Sequence, residues 1–212
     1  MNFTFLTTLL ELVGSAAFAV SGVIVAKKKK MDLFGAILLG CITAVGGGFF
    51  RDLILGITPP LMFSNPMYVT CAAITSVLTF ILEYRDKSSI MVHKSASERM
   101  LNITDSIGLA IFAIMGVRCA MEVGFSDNHF LCVFVGTLTG IGGGILRDML
   151  AGEMPLILRE RVYGVAAIIG SCVFLYCSFM MNETLSMGIS FCATVLIRFC
   201  AIHYEWNLPR LK

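Results

Sequence analysis

Long apolar stretches alternate with short polar breaks along this chain. A helix needs about 20 mostly apolar residues to cross the hydrocarbon core of a bilayer. That template fits at Phe3–Ala26, Leu33–Leu55, Pro66–Leu82, Ile103–Cys119, Phe130–Leu150, Val162–Met181 and Leu185–Ala201. Between them stand Lys27–Lys30, Thr58-Pro59-Pro60, the polar stretch Glu83–Asn102, Ser126-Asp127-Asn128, Met154-Pro155 and Asn182-Glu183, which have the composition of breaks. The pattern predicts an all-α integral membrane protein with seven transmembrane helices.

Lys and Arg then orient the spans, because short cytoplasmic loops carry the excess. Basic residues mark every second connection: Lys27–Lys30, then Arg85, Lys87, Lys94 and Arg99, then Arg159 and Arg161, and finally Arg210 and Lys212. The intervening connections hold none, apart from Arg118 at the edge of one. The N-terminus is expected outside and the C-terminus in the cytoplasm. The first stretch has no basic n-region and carries Glu11 inside it, so it reads as a first transmembrane helix rather than a signal peptide.

A repeat organises the spans. Thr43-Ala-Val-Gly-Gly-Gly-Phe-Phe-Arg-Asp-Leu-Ile-Leu-Gly56 returns as Thr139-Gly-Ile-Gly-Gly-Gly-Ile-Leu-Arg-Asp-Met-Leu-Ala-Gly152, and Pro59 aligns with Pro155. Upstream, Gly14–Val23 matches Gly108–Val117 in a register two residues different, which sets Glu11 opposite Asp105. Each unit holds three crossings, an odd number, so the second copy enters the bilayer from the other side. That is an inverted-topology repeat, a plan that places a translocation path between the copies. Residues 1–82 form the first three-helix unit, 83–102 a cytoplasmic linker, 103–181 the inverted second unit, and 182–212 a seventh helix with the tail.

The motif carries the candidate chemistry. Gly46-Gly47-Gly48 and Gly142-Gly143-Gly144 cover most of a helix circumference, whereas close helix packing asks for small residues spaced along one face. A kink or unwound segment lining a path is expected there, with tight packing as the alternative. Thr43 and Thr139 offer hydroxyls to such a path, or bond back to their own helix. Of the charges inside the spans, Glu11, Arg51, Asp52, Asp105, Arg147 and Asp148 fall in or opposite the repeat, and each costs about 3 kcal/mol at a bilayer centre unless it faces a partner or water. Neighbours in a helix point about 100° apart, which argues against a direct Arg51–Asp52 pair. Depth favours Glu11–Arg51 and Asp105–Arg147, with Asp52 and Asp148 near the two mouths or bonded to backbone. Four carboxylates against two guanidiniums favour a cation in the path.

Composition agrees with lipid as solvent: 57% of the 212 residues are hydrophobic and 14% charged, far from the soluble average. A net charge of +2 is too small, and the basic residues too scattered, to suggest nucleic acid, and none is expected as a partner. The eight cysteines lie in or beside apolar runs without a CxxC pair, and His93, His129 and His203 are scattered. They read as packing and span-end residues, so no metal or cofactor is expected. Neither a P-loop nor a GxSxG or HExxH pattern is found, and no enzyme is expected.

At the doubled G-G-G-x-x-R-D motif the chain resembles a bacterial family of membrane proteins named for a glycine-transporter domain (UPF0126-like), which is similar to the trimeric intracellular cation (TRIC) channels. The resemblance covers about Glu11 to Tyr163, with the seventh helix as the usual addition. It implies a symmetric homotrimer in the bacterial cytoplasmic membrane, with one pore in each protomer. It implies further that the glycine triplets kink the second and fifth spans around that pore, and that monovalent cations such as K+ or Na+ pass through it. The family's other name implies carriage of glycine or a similar small solute by alternating access. The second repeat departs from the first at Glu153-Met154, where the first has Ile57-Thr58, so the two ends of the path need not behave alike.

Overall fold

A computed structural model of the chain describes residues 3–85, 90–159 and 162–206, without the side chains of 3–4 and 90–95. Lys87, Arg161, Arg210 and Lys212, and the side chains of His93 and Lys94, lie outside the described residues. Seven helices are long and apolar enough to cross a membrane: α1 (Phe3–Lys28), α2 (Leu33–Leu55), α4 (Met67–Arg85), α5 (Ile90–Ala120), α6 (His129–Leu150), α8 (Tyr163–Met180) and α9 (Glu183–His203). Two single-turn helices, α3 (Leu61–Ser64) and α7 (Leu156–Arg159), follow α2 and α6. The polar stretch read as a linker is helical from Ile90 onward and extends α5 backward.

Side-chain caps start several of the long helices. Asp32, Asn128 and Asn182 accept from the amides of Gly35, Leu131 and Leu185 at 2.7, 3.0 and 2.9 Å, satisfying donors that a helix start leaves open. The last glycine of each motif ends its helix. Gly56 and Gly152 take left-handed backbone, with φ of 71° and 67°. The following amides, Ile57 and Glu153, return to the carbonyls of Asp52 and Asp148 at 2.8 and 2.9 Å, a glycine-dependent stop.

Helices α1, α2 and α4 pack as one bundle and α5, α6 and α8 as the other, with α2 against α6 and α1 against α5 joining them. Helix α9 leans on α8 and α5. The outside is apolar, unlike that of a soluble protein: Phe34, Leu82, Phe130 and Met180 are exposed, while Ser15, Ser21, Ser76, Ser171 and six span charges or hydroxyls of the motif are buried among the apolar core. This is the distribution expected where lipid covers the outside and polar groups must find partners within. The chain is thus a multi-pass, all-α membrane protein with an inverted repeat of three plus three helices and one further helix.

Both glycine triplets stay α-helical, so the unwound segment expected from the sequence is not found. The triplets instead let two backbones meet. A Cβ at Gly47 would overlap the carbonyl oxygen of Thr139, and a Cβ at Gly143 would overlap the carbonyl oxygen of Thr43. The contact is reciprocal across the pseudo-twofold axis. The same logic joins the first two helices of each unit: a Cβ at Gly22 would stand 2.7 Å from Gly40 Cα, and one at Gly116 would stand 2.8 Å from Gly136 Cα. Close backbone approach through small residues is how helices associate where lipid removes the hydrophobic drive.

Candidate functional site

Two polar clusters flank the α2–α6 crossing, one per repeat. Each grows from the end of the motif. Asp52 Oδ2 accepts from the amide of Leu61 at 2.7 Å, and Asp148 Oδ2 accepts from the amide of Leu156 at 2.8 Å. The aspartates therefore hold the starts of α3 and α7 against the ends of α2 and α6. Both capped residues follow a proline, Pro60 and Pro155. Pro60, not Pro59, is the structural counterpart of Pro155, because the second repeat is one residue shorter between its glycine stop and the short helix.

The other oxygen of each aspartate receives the neighbouring arginine. Arg51 Nε lies 2.8 Å from Asp52 Oδ1, and Arg147 Nε lies 2.8 Å from Asp148 Oδ1. This corrects the argument that adjacent helical residues cannot pair. Their Cα–Cβ directions diverge, but the long arginine stem folds sideways around the helix and brings its Nε back to the short carboxylate. The third glycines lie beside these heads, and only that of the second repeat is tightly packed, against Tyr163. A Cβ at Gly48 would stand 3.8 Å from Arg51 Nη2, and a Cβ at Gly144 would stand 3.7 Å from Arg147 Nη2 and 3.1 Å from Tyr163 Oη.

Beyond this shared frame the clusters differ. In the second repeat Asp105 Oδ1 lies 2.6 Å from Arg147 Nη1, both residues being 0% exposed. Arg147 Nη1 also donates to Ser21 Oγ at 2.9 Å, and the Ser21 hydroxyl in turn donates to the Phe18 carbonyl at 2.8 Å. In the first repeat no ion pair joins Glu11 to Arg51. Glu11 Oε2 accepts instead from Tyr68 Oη at 2.5 Å. Glu11, Ser15, Gly48, Arg51, Asp52 and Tyr68 line a cavity of about 40 Å³, room for a few waters or a partly hydrated small cation.

Thr43 and Thr139 are fully buried, and their hydroxyls donate to the carbonyls of Leu39 and Val135 at 2.6 Å each. They are bonded to their own helices rather than presented to the cavity. Glu153, the departure noted in the second repeat, lies 3.1 Å from Lys29 and ties the α1–α2 connection to the end of α6. The described cysteines are free thiols, and no metal-holding group of His, Cys, Asp or Glu occurs among the described residues.

Three residues escaped the sequence reading. Tyr68 and Tyr163 occupy equivalent places at the entry to the third helix of each unit, and an alignment carried past the prolines with a one-residue gap finds them. Arg198, fully buried in α9, is the one Lys or Arg within the span expected at Leu185–Ala201. Its guanidinium carbon stands 4.6 Å from the centroid of the Tyr163 ring, within cation–π range.

Comparison with known proteins places this architecture. A family model described as "Glycine transporter" matches residues 8–84 and 102–178, one match per repeat. The UPF0126 inner membrane protein YadS of Escherichia coli K12 is 40% identical over 203 residues, covering 94% of this chain and 93% of its own. The UPF0126 membrane protein YvgT of Bacillus subtilis is 34% identical, covering 95% and 94%. Among solved structures, a TRIC trimeric intracellular cation channel orthologue from Rhodobacter sphaeroides is 36% identical with a TM-score of 0.85, covering 94% of this chain and 98% of that one. A prokaryotic TRIC channel crystallised in 0.5 M KCl is 28% identical with a TM-score of 0.87, covering 97% and 100%. With both repeats matched by the family model and the whole length shared with these relatives, the chain belongs to the glycine-transporter-domain (UPF0126) family of TRIC-type membrane proteins.

Proposed function

We propose that the protein is a monovalent-cation channel of the K+ type, with one path in each protomer of a homotrimer. It resides in the bacterial cytoplasmic membrane, N-terminus outside. The path runs between the two repeats. The Glu11 cluster occupies its outer half and the Asp105 cluster its inner half, and the backbone crossing at the glycine triplets forms the narrow waist.

One observation carries the reading: a cavity whose largely apolar wall bears Glu11, Asp52 and Arg51 sits directly beside the glycine crossing, and an inverted copy of its frame lies on the other side. A cation leaving water needs oxygens to replace lost hydration, and carboxylates, a tyrosine hydroxyl and a serine supply them in the outer half. The relatives of known structure are described as cation channels, which supports the same reading. Kinking or opening at Gly46–Gly48 and Gly142–Gly144 would widen the waist.

Purified protein in planar bilayers tests this. Unitary K+ currents that reverse at the K+ Nernst potential are expected. Silent bilayers together with glycine counterflow in liposomes would replace the channel with a small-solute carrier.

A further inference from the structure

We propose that Arg198, supplied by the one long helix outside the duplicated unit, sets the charge of the inner half of the path and thereby the direction in which cations pass more readily. The inference rests on the channel reading above.

Arg198 is placed by a seam. Ser186, Ser190, Thr194 and Arg198 recur every fourth residue and are all 0% exposed, so they share one face of α9. Ser190 Oγ donates to the Gly170 carbonyl at 2.8 Å, and a Cβ at Gly170 would overlap Thr194 Oγ1. These small polar contacts lock the register of α9 on α8, and the next step along the same face delivers the guanidinium. There it stands 4.6 Å from the Tyr163 ring centroid, with Nε 3.4 Å from Ser106 Oγ. Ser106 adjoins Asp105, and Tyr163 Oη closes on Gly144 beside Asp105 and Arg147. Arg198 is thus part of the second cluster.

Its charge breaks the symmetry of the path. The outer cluster holds Glu11 and Asp52 against Arg51, one carboxylate in excess. The inner cluster holds Asp105 and Asp148 against Arg147 and Arg198, and is balanced. Carboxylate excess in a low-dielectric cleft concentrates cations, whereas a balanced cluster does not. A cation entering from outside is gathered before the waist; one entering from the cytoplasm is not. Inward cation current is therefore expected to exceed outward current in symmetric salt.

The test is the current–voltage relation of the full-length protein in bilayers of symmetric KCl, with thermal melting and elution volume recorded for each variant. Wild type is expected to rectify about threefold. Arg198→Gln should bring the ratio close to one, and Arg198→Met carries the same expectation if the glutamine variant does not assemble. Arg198→Lys keeps the charge and should keep the rectification, whatever stability the loss of the planar guanidinium costs. Unaltered rectification in the neutral variants overturns the proposal, as does a wild-type channel with a linear relation. A wild type that passes no cation current overturns the channel reading and this inference together.

Discussion

The two halves of this protein share a frame and differ in what closes it. In both, an arginine leans on the next aspartate, and that aspartate holds a single-turn helix after a proline. In the second half the shorter acid, Asp105, meets Arg147 inside a sealed cluster that also recruits Ser21 from the other repeat. In the first half the longer acid, Glu11, reaches Tyr68, and Met115 stands at the position equivalent to Ser21. Arg51 is left with Asp52 and a cavity wall. The longer acid at Glu11 and a methionine in place of a serine at Met115 separate the open cavity of the first half from the buried ion pair of the second. Duplication supplies the frame, and small side-chain changes then divide the work.

The comparison can be broken most severely at the crossing both halves share. Gly143→Ala should push α2 and α6 apart at the Thr43 carbonyl, costing about 3 kcal/mol or more. Gly47→Ala should match it; a melting midpoint unchanged in either variant would contradict the backbone contact. Next comes the ion pair. Arg147→Gln strands Asp105 without its cation and should cost about 3–5 kcal/mol, while Arg51→Gln, beside a cavity and without an acid partner beyond Asp52, should cost about half as much. Equal thermal shifts would erase the proposed division between sealed and open halves.

Smaller effects sharpen the picture. Asp52→Asn and Asp148→Asn each weaken the start of a short helix, a loss of about 1 kcal/mol from the cap, read by chemical denaturation in detergent. Asp52→Asn should lose more in total, because it also leaves the buried Arg51 without its carboxylate, whereas Arg147 keeps Asp105. Tyr68→Phe removes the hydroxyl bonded to Glu11, a loss of about 1 kcal/mol in stability, and should reduce K+ conductance by freeing Glu11 from its fixed position. Conductance equal to wild type would remove Tyr68 from the path.

Most of the architecture was legible in the sequence because the bilayer imposes it. Span length follows from hydrocarbon thickness, and the observed α2 and α6 coincide with their expected limits to within one residue. The doubled motif gave the inverted plan, and its final glycine turned out to be the helix stop. Less was legible where side-chain reach decides. The Arg51–Asp52 and Arg147–Asp148 contacts were missed because helical direction was applied to Cβ atoms while the guanidinium lies several bonds beyond. Tyr68 and Tyr163 were missed because the one-residue difference after the glycine stop hid their equivalence. Arg198 was missed because it has no copy, and a search guided by the repeat passes over singletons.

The reciprocal contact of Gly47 with Thr139 and Gly143 with Thr43 has the form of an isologous interface folded into one polypeptide. The atoms that α2 presents to α6 are the same kind that α6 presents to α2. A half-length chain inserted in both orientations would carry the contact with no new residue. The cost of that economy is coupled inheritance: an added methyl in either copy meets the backbone of the other, so neither half can drift at this position alone.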